Sequence, residues 1–343
     1  MTRSQTVAVY GAYGHTGRFV VAQLRAQGFT ALPLGRDADR LAESFPDLAH
    51  RVASVDDPAS LDRALRGAAA VINCAGPFAL TAGPVIEAAL RARIPYVDVA
   101  AEIEANVDTF AHFTDQARAA GTAVVPAMAF FGGLGDLLVT AAMGDWTSAD
   151  EAHVAYGLSS WHPTGGTLVS GTVSRDRRDG RRVRYTGGRL AYHAADGELP
   201  TLDWDFPAPL GPRPVYGDFT MADVVTVPSH LPIPEVRTYM ATGAARDLGT
   251  PGTPAPVAVD DQGRSAQTFT VDVLVRAGGE QRRIAAHGRD IYAISAPLAV
   301  EAVRRILDGR TLTTGVASAG QMFDAPDFLR ALSADLSLEP RSA

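Results

Sequence analysis

No lysine occurs in the 343 residues, so all 31 strongly basic side chains are arginine. That removes Schiff-base chemistry and a lysine general acid from the functions open to the chain. Cys74 is the single cysteine, which excludes an intramolecular disulfide and a multi-cysteine metal site. His153, His193, His230 and His287 show no ligand spacing, so no metal is expected. Long apolar runs are missing as well. The longest, Val124 to Met143, is broken by Pro126, Gly132, Gly133, Gly135 and Asp136, and no membrane span is expected. The opening Met1-Thr2-Arg3-Ser4-Gln5 lacks the apolar stretch of a signal peptide, and the expectation is a reduced, cytoplasmic setting. A net charge of -7 argues against nucleic acid as a partner. The local arginine cluster Arg175, Arg177, Arg178, Arg181, Arg182 and Arg184 reads as a solvated hairpin around Asp179-Gly180.

The most informative stretch runs from Thr6 to Arg36. The apolar strand Val7 to Tyr10 leads directly into Gly11-Ala12-Tyr13-Gly14-His15-Thr16-Gly17, which opens a helix from Arg18 to Gln27. Gly11 permits the tight exit from the strand, Gly14 lets backbone N–H groups approach phosphate, and Gly17 brings helix and strand together. The helix N-terminus adds positive potential where a dinucleotide pyrophosphate sits. Arg36 follows the second strand at the place of the residue that reads the ribose. A carboxylate there would accept the 2′-hydroxyl of NAD, whereas a guanidinium pairs with a 2′-phosphate, so NADP(H) is the expected cofactor.

Strand and helix patterns alternate onward, with strands at His50 to Val55, Ala69 to Cys74, Tyr96 to Val99 and Ala123 to Pro126, and helices at Asp57 to Arg66, Thr81 to Arg93, Ile103 to Ala120 and Gly135 to Met143. This is the rhythm of a Rossmann-type doubly wound parallel sheet, here of six strands. From Glu151 the pattern changes to extended segments: Ala152 to Leu158, Leu168 to Ser174, Gly188 to His193, Val224 to Val227, Val236 to Ala241, Ala266 to Val275 and Arg282 to His287. They predict a second α+β domain with a mostly antiparallel sheet. The tracts Pro200 to Pro214 and Gly249 to Pro256 read as loops. Helices at Ala296 to Leu307 and Pro326 to Ser333 are expected to pack back on the first domain. The expected division is 1–145, 146–290 and 291–343.

In such a sheet the ligand lies beyond the C-terminal strand ends. Asn73-Cys74-Ala75-Gly76-Pro77-Phe78, Asp98 to Glu102 and Met128 to Gly133 fall there. Cys74, Ala75, Gly76 and Pro77 join Gly11, Tyr13, Gly14, His15, Thr16, Gly17 and Arg36 as expected cofactor contacts. Asp98 and Glu102 are either polar groups over the nicotinamide or a strand end and a helix cap. His162, in the loop Trp161 to Thr167, is the leading candidate proton donor. Tyr96, Tyr216 and Tyr239 are alternatives, of which Tyr216 joins His162 and Asp98 in the candidate catalytic set.

The glycine turn, the Asn73 to Phe78 segment and Tyr96-Val97-Asp98 with Glu102 resemble the saccharopine dehydrogenase-like reductases. Thr164-Gly165-Gly166-Thr167 with Ser170, and Gly288-Arg289-Asp290-Ile291-Tyr292, resemble the trans-acting enoyl reductase branch of that family. The resemblance implies an NADP-binding domain, a mixed-sheet substrate domain and hydride transfer to or from a polarised C=C or C=N bond. No Tyr-x-x-x-Lys pair of the short-chain dehydrogenase kind can exist without lysine. The leading expectation is an enoyl reductase acting on a small-molecule substrate. The alternatives are an imine reductase or saccharopine-type dehydrogenase, and an NADP-binding redox sensor without turnover. A homodimer is compatible with all three.

Overall fold

A computed structural model describes residues 5–341. Met1–Ser4, part of the segment read for a signal peptide, and Ser342–Ala343 lie outside the described residues. The first region contains β1 (Thr6–Tyr10), α1 (His15–Ala26), β2 (Thr30–Gly35), α2 (Ala38–Ser44), β3 (Arg51–Val52), α3 (Pro58–Leu65), β4 (Ala70–Asn73), α4 (Phe78–Ala92), β5 (Tyr96–Asp98), α5 (Ile103–Ala120), β6 (Ala123–Val125) and α6 (Gly135–Met143). Apart from the exposed edge strand β3, its strands are short and largely buried, as a parallel sheet covered by helices requires. Asp57 accepts a hydrogen bond from Ser60 N, and Pro58 occupies the first turn, so α3 starts where its sequence signals it.

The second region contains β7 (Glu151–Leu158), α7 (Gly165–Arg177), β8 (Arg182–Thr186), β9 (Arg189–His193), β10 (Thr201–Asp205), β11 (Pro212–Gly217), α8 (Asp223–Thr226), β12 (Glu235–Ala241), α9 (Thr242–Gly249), β13 (Thr268–Ala277) and β14 (Glu280–Arg289). The chain closes with α10 (Ser295–Leu307), β15 (Gly315–Val316), α11 (Ala319–Met322), α12 (Ala325–Ala331) and β16 (Ser337–Arg341). The first sheet has the order β15-β6-β5-β4-β1-β2-β3 and is parallel throughout. It therefore has seven strands, because β15 returns from the C-terminal segment to pair with β6. The second sheet runs β10-β11-β12-β7-β13-β14-β16, with the β8–β9 hairpin attached to β12. Only the β12–β7 pairing in it is parallel.

Four sequence expectations are corrected here. Leu168 to Ser174 is helical, inside α7, and Val224 to Val227 belongs to α8 and a following turn of 3-10 helix. Both stand among the extended segments expected after Glu151. Thr164 caps α7 by accepting from Thr167 N, and Ser174 hydrogen-bonds Glu104 of α5, so capping and tertiary contact override local propensity. Pro200 to Pro214 is not a loop throughout, since β10 lies within it and β11 begins in it. Trp204 donates Nε1–H to the buried Asp272 at 2.9 Å, a long-range contact that anchors β10. The arginine cluster is no hairpin either. Arg177 pairs with Asp108, Arg178 with Glu104 and Arg184 with Asp218, and the hairpin turn lies instead at Gly187-Gly188.

One apolar core runs through both regions. Val7, Val9, Val20 and Leu24 pack in the same cluster as α6, the inner side chains of β7 and β13, and α10. α10 lies along α1, which fixes the second sheet against the helical face beside the glycine-rich turn.

Candidate functional site

The three glycines of the first turn do different work. Gly11 has φ +79°, and a Cβ there would stand 2.8 Å from the backbone of Ala75. A Cβ on Gly17 would stand 2.3 Å from Gly11 O. Both glycines are demanded by the close approach of β1, α1 and the end of β4. Gly14 is the N-cap of α1, in extended conformation, and the nearest atom to an added Cβ is Gly11 O at 3.1 Å. No side chain caps α1 and no acidic residue lies in its first turn. The leading N–H groups at His15, Thr16 and Gly17 therefore suit a diphosphate.

At the ribose end, the Tyr13 ring lies on Gly35, where an added Cβ would meet Cε1 at 2.5 Å. The Arg40 guanidinium covers the same ring at 4.3 Å from its centroid. Arg36 is exposed and makes no hydrogen bond or ion pair among the described residues. Asp37 accepts from Arg40 N and so caps α2, which holds Arg36 and Arg40 near each other. Sequence reading missed Arg40. Its only signal was an arginine four residues after Arg36, on a helix capped by Asp37.

The strand ends form a polar lattice. Asn73 accepts from Ala75 N at 3.0 Å and donates to the Tyr96 hydroxyl at 3.2 Å. Tyr96 donates to Asp98 at 2.9 Å, and the other Asp98 oxygen accepts from Ala100 N and Ala127 N at 3.0 and 2.8 Å. Burial lifts the Asp98 carboxyl to about 6, against the pull of those N–H groups and of Tyr96. Burial also pushes the Cys74 thiol up, with the Asp98 charge adding to it. Asp98 thus ties the ends of β5 and β6 together. Glu102 accepts from Phe78 N and Ala79 N at 2.7 and 3.0 Å, so it caps α4 and not the helix that follows it. Gly76 and Pro77 lie beneath α7, since a Cβ on Gly76 would meet the Ser170 hydroxyl at 2.5 Å.

Tyr292 joins the two regions. Its ring meets that of His15 edge-on at 5.2 Å. Its hydroxyl accepts from Trp161 Nε1 and Thr164 N at 3.3 Å each, shares a 3.0 Å hydrogen bond with Thr167, and donates to His162 O at 3.3 Å. Buried Asp290 holds this tyrosine by accepting from Tyr292 N, Ala293 N and Ser265 N. The His162 ring is half-buried, makes no hydrogen bond among the described residues, and lines a cavity with Tyr292. Burial lowers the His15 pKa. Tyr216 lies on β11 opposite Met240, which in turn pairs with Tyr156 across the second sheet. No hydrogen bond among the described residues links His162, Asp98 and Tyr216 to one another. No metal-binding group of histidine, cysteine or carboxylate residues occurs among the described residues, and no described helix is long and apolar enough to cross a membrane.

Comparison with known proteins agrees with this geometry over the first region. Residues 7–125 match the family model described as the saccharopine dehydrogenase NADP binding domain. A probable mitochondrial saccharopine dehydrogenase-like oxidoreductase of Arabidopsis thaliana is 29% identical over 142 residues, covering 36% of this chain and 31% of that protein. A lipid droplet localized protein of Caenorhabditis elegans is 30% identical over 136 residues, covering 35% of this chain and 32% of the relative. The matched part spans about a third of these relatives' length. In structure, the chain is similar to apo saccharopine dehydrogenase (L-Glu forming) from Saccharomyces cerevisiae, with a TM-score of 0.68, 11% identity, and coverage of 99% of this chain and 100% of that one. That likeness shows the fold: a parallel Rossmann-type sheet followed by a mixed-sheet domain. The enoyl reductase branch suggested by the Thr164 and Gly288 motifs finds no counterpart in these matches. The match over residues 7–125 supports NADP(H) as the cofactor of this region, which is similar to the saccharopine dehydrogenase NADP binding domain.

Proposed function

We propose that the protein is an NADP(H)-dependent oxidoreductase of the saccharopine dehydrogenase-like type, moving hydride between the nicotinamide and a carbon–nitrogen centre of a small-molecule substrate. The observation that carries this reading is the open front of α1 at Gly14, with the unpaired Arg36 guanidinium beyond it, in a segment matched by the NADP-domain model. The cofactor supplies the hydride; this chain binds, orients and excludes water. Arg36, with Arg40 beside it, takes the 2′-phosphate. Asp98 and Asn73 fix the strand ends that would face the nicotinamide, and the loop Trp161 to Thr167 would close the substrate side. His162, whose ring is free of other partners, handles the substrate proton. Reduction of an enoyl C=C bond, the leading expectation from the motifs, has no observation favouring it over the carbon–nitrogen reading. The second sheet, with an aromatic cluster of Phe130, Phe131, Tyr156 and Trp161 at its junction with the first, supports turnover over a sensor role.

The test is a pair of fluorescence titrations with NADPH and NADH, on the wild type and on Arg36→Ala. The wild type should prefer NADPH, and the variant should lose about 1.5–3 kcal/mol of that preference. Equal affinities in the wild type would overturn the cofactor assignment. Loss of NADPH absorbance on addition of cyclic imines, and not of enones, would support the carbon–nitrogen reading.

A further inference from the structure

We infer that the cavity between β7, β13 and the segment 254–259 is a substrate subsite for a neutral hydrocarbon moiety. The inference rests on the oxidoreductase reading and adds the class of substrate. The cavity holds about 340 Å³ and is lined by Ser159, Ser160, His162, Gln267, Tyr292 and the apolar side chains of the 254–259 segment. That is the lower end of the range for small-molecule sites. Its place is significant, because Tyr292 forms one wall while its ring edge packs on His15 of the phosphate-binding turn.

Its chemistry is set by what is absent from the wall and by what is already used. Among the lining residues there is no arginine, aspartate or glutamate. Of the six polar side chains there, Gln267, Ser159 and Tyr292 are already engaged. Gln267 donates to Ser160 O and accepts from Ile291 N, Ser159 accepts from Thr268 N at 2.9 Å, and the Tyr292 hydroxyl is fully engaged. A charged ligand group would enter without a countercharge, which is costly. The facing wall is Pro254, Pro256, Val257 and Val259. Ala258 bridges Ser265 in antiparallel fashion, and Val259 N donates to Arg264 O, so this stretch is extended. Alternation then puts Val257 and Val259 on one side, and both line the cavity. They are 67% and 57% exposed, among the most exposed large apolar side chains described. A hydrocarbon in the cavity covers both valines and leaves the polar, reacting end of the substrate beside His162.

Isothermal titration calorimetry of the NADP+-saturated protein with straight-chain methyl ketones, from butanone to decanone, tests this. Affinity should rise about two- to fourfold per added methylene until the cavity is full, with a negative heat-capacity change. The double variant Val257→Asp/Val259→Asp, made at exposed positions, should weaken decanone binding at least tenfold while NADPH affinity and melting temperature stay unchanged. Affinity independent of chain length, or decanone binding equal in wild type and variant, overturns the inference. Glutamate and other amino dicarboxylates should not compete with decanone; competition also overturns it. Absence of NADPH binding in the wild type would instead defeat the oxidoreductase reading, so the two failures are distinguishable.

Discussion

Buried carboxylates in the two regions are satisfied in different ways. At the cofactor edge, Asp98, Glu102 and Asp290 each accept from two or more backbone N–H groups, so their positions are set by the chain path itself. Where the second sheet meets the first, the fully buried Asp223 is held by the Tyr156 hydroxyl at 2.8 Å, and Asp136 by His230 at 2.8 Å together with Gly320 N. Backbone donors are fixed and favour the charged form, whereas a neutral hydroxyl offers one proton and little charge compensation. Burial drives Asp223 further than Asp98, to about 7 against about 6; the Tyr156 hydroxyl and backbone N–H groups oppose the rise in Asp223, and the nearby Asp136 charge adds to it. The cofactor edge relies on backbone donors; at the junction, side-chain partners join backbone N–H groups, and one carboxyl there changes charge near neutrality.

The largest effect should come from breaking the backbone edge. Gly17→Val puts side-chain atoms where even a Cβ would stand 2.3 Å from Gly11 O, and the loss should exceed about 3 kcal/mol, a large share of a typical domain's stability, so the thermal midpoint should fall steeply. Gly14→Val meets only a 3.1 Å contact, so the fold should survive with its circular dichroism intact while NADPH binding falls at least a hundredfold. Unfolding of both variants would mean that Gly14 serves the turn alone.

The side-chain junction should respond to pH. An unfolded aspartate titrates near 4, and Asp223 in the fold near 7, so the protonated form is favoured by folding. Its stabilising effect is complete below about pH 4 and is lost as pH rises through 7; Asp98 adds a loss of the same sign ending near 6. Between pH 5 and 8 the wild type should lose on the order of 2–3 kcal/mol through Asp223. Asp223→Asn should remove that part of the slope in urea titrations at the two pH values, and an unchanged slope would break the comparison.

The same contrast explains what was legible in the sequence. The first region is built from local devices that a sequence displays: Gly11, Gly14 and Gly17 after an apolar strand, Asp57-Pro58 opening α3, and the alternation of short apolar runs. Its overlooked features, Arg40 over Tyr13 and Glu102 on the end of α4, depend on contacts across 27 and 24 positions. In the second region the decisive contacts are long-range nearly everywhere. Ser174, in the helix over Leu168 to Ser174, reaches Glu104 across 70 positions, and Trp204 reaches Asp272 across 68, so no local pattern displays either contact. Tyr292 closed a recognisable motif, but nothing in its neighbours foretold that its hydroxyl would gather four groups between Trp161 and Thr167.

That hydroxyl permits the smallest test, because its partners all lie between Trp161 and Thr167, whereas the ring alone meets His15 of the first region. Tyr292→Phe keeps the ring against His15 and removes the hydrogen bonds to Trp161, His162, Thr164 and Thr167. Three of the four contacts are 3.3 Å long, and the groups released lie in a half-buried loop that water can reach, so the net cost should be about 1–2 kcal/mol. The glycine turn does not depend on the hydroxyl, and NADPH affinity should therefore stay within about twofold of wild type. The loop does depend on it. Freed from Tyr292, Trp161 should shift its emission to longer wavelength, and cleavage within Ser159 to Thr167 under limited proteolysis should accelerate. A variant that instead loses NADPH affinity in step with its stability would show that the hydroxyl acts on the cofactor edge too, and that the two regions are held by one lattice.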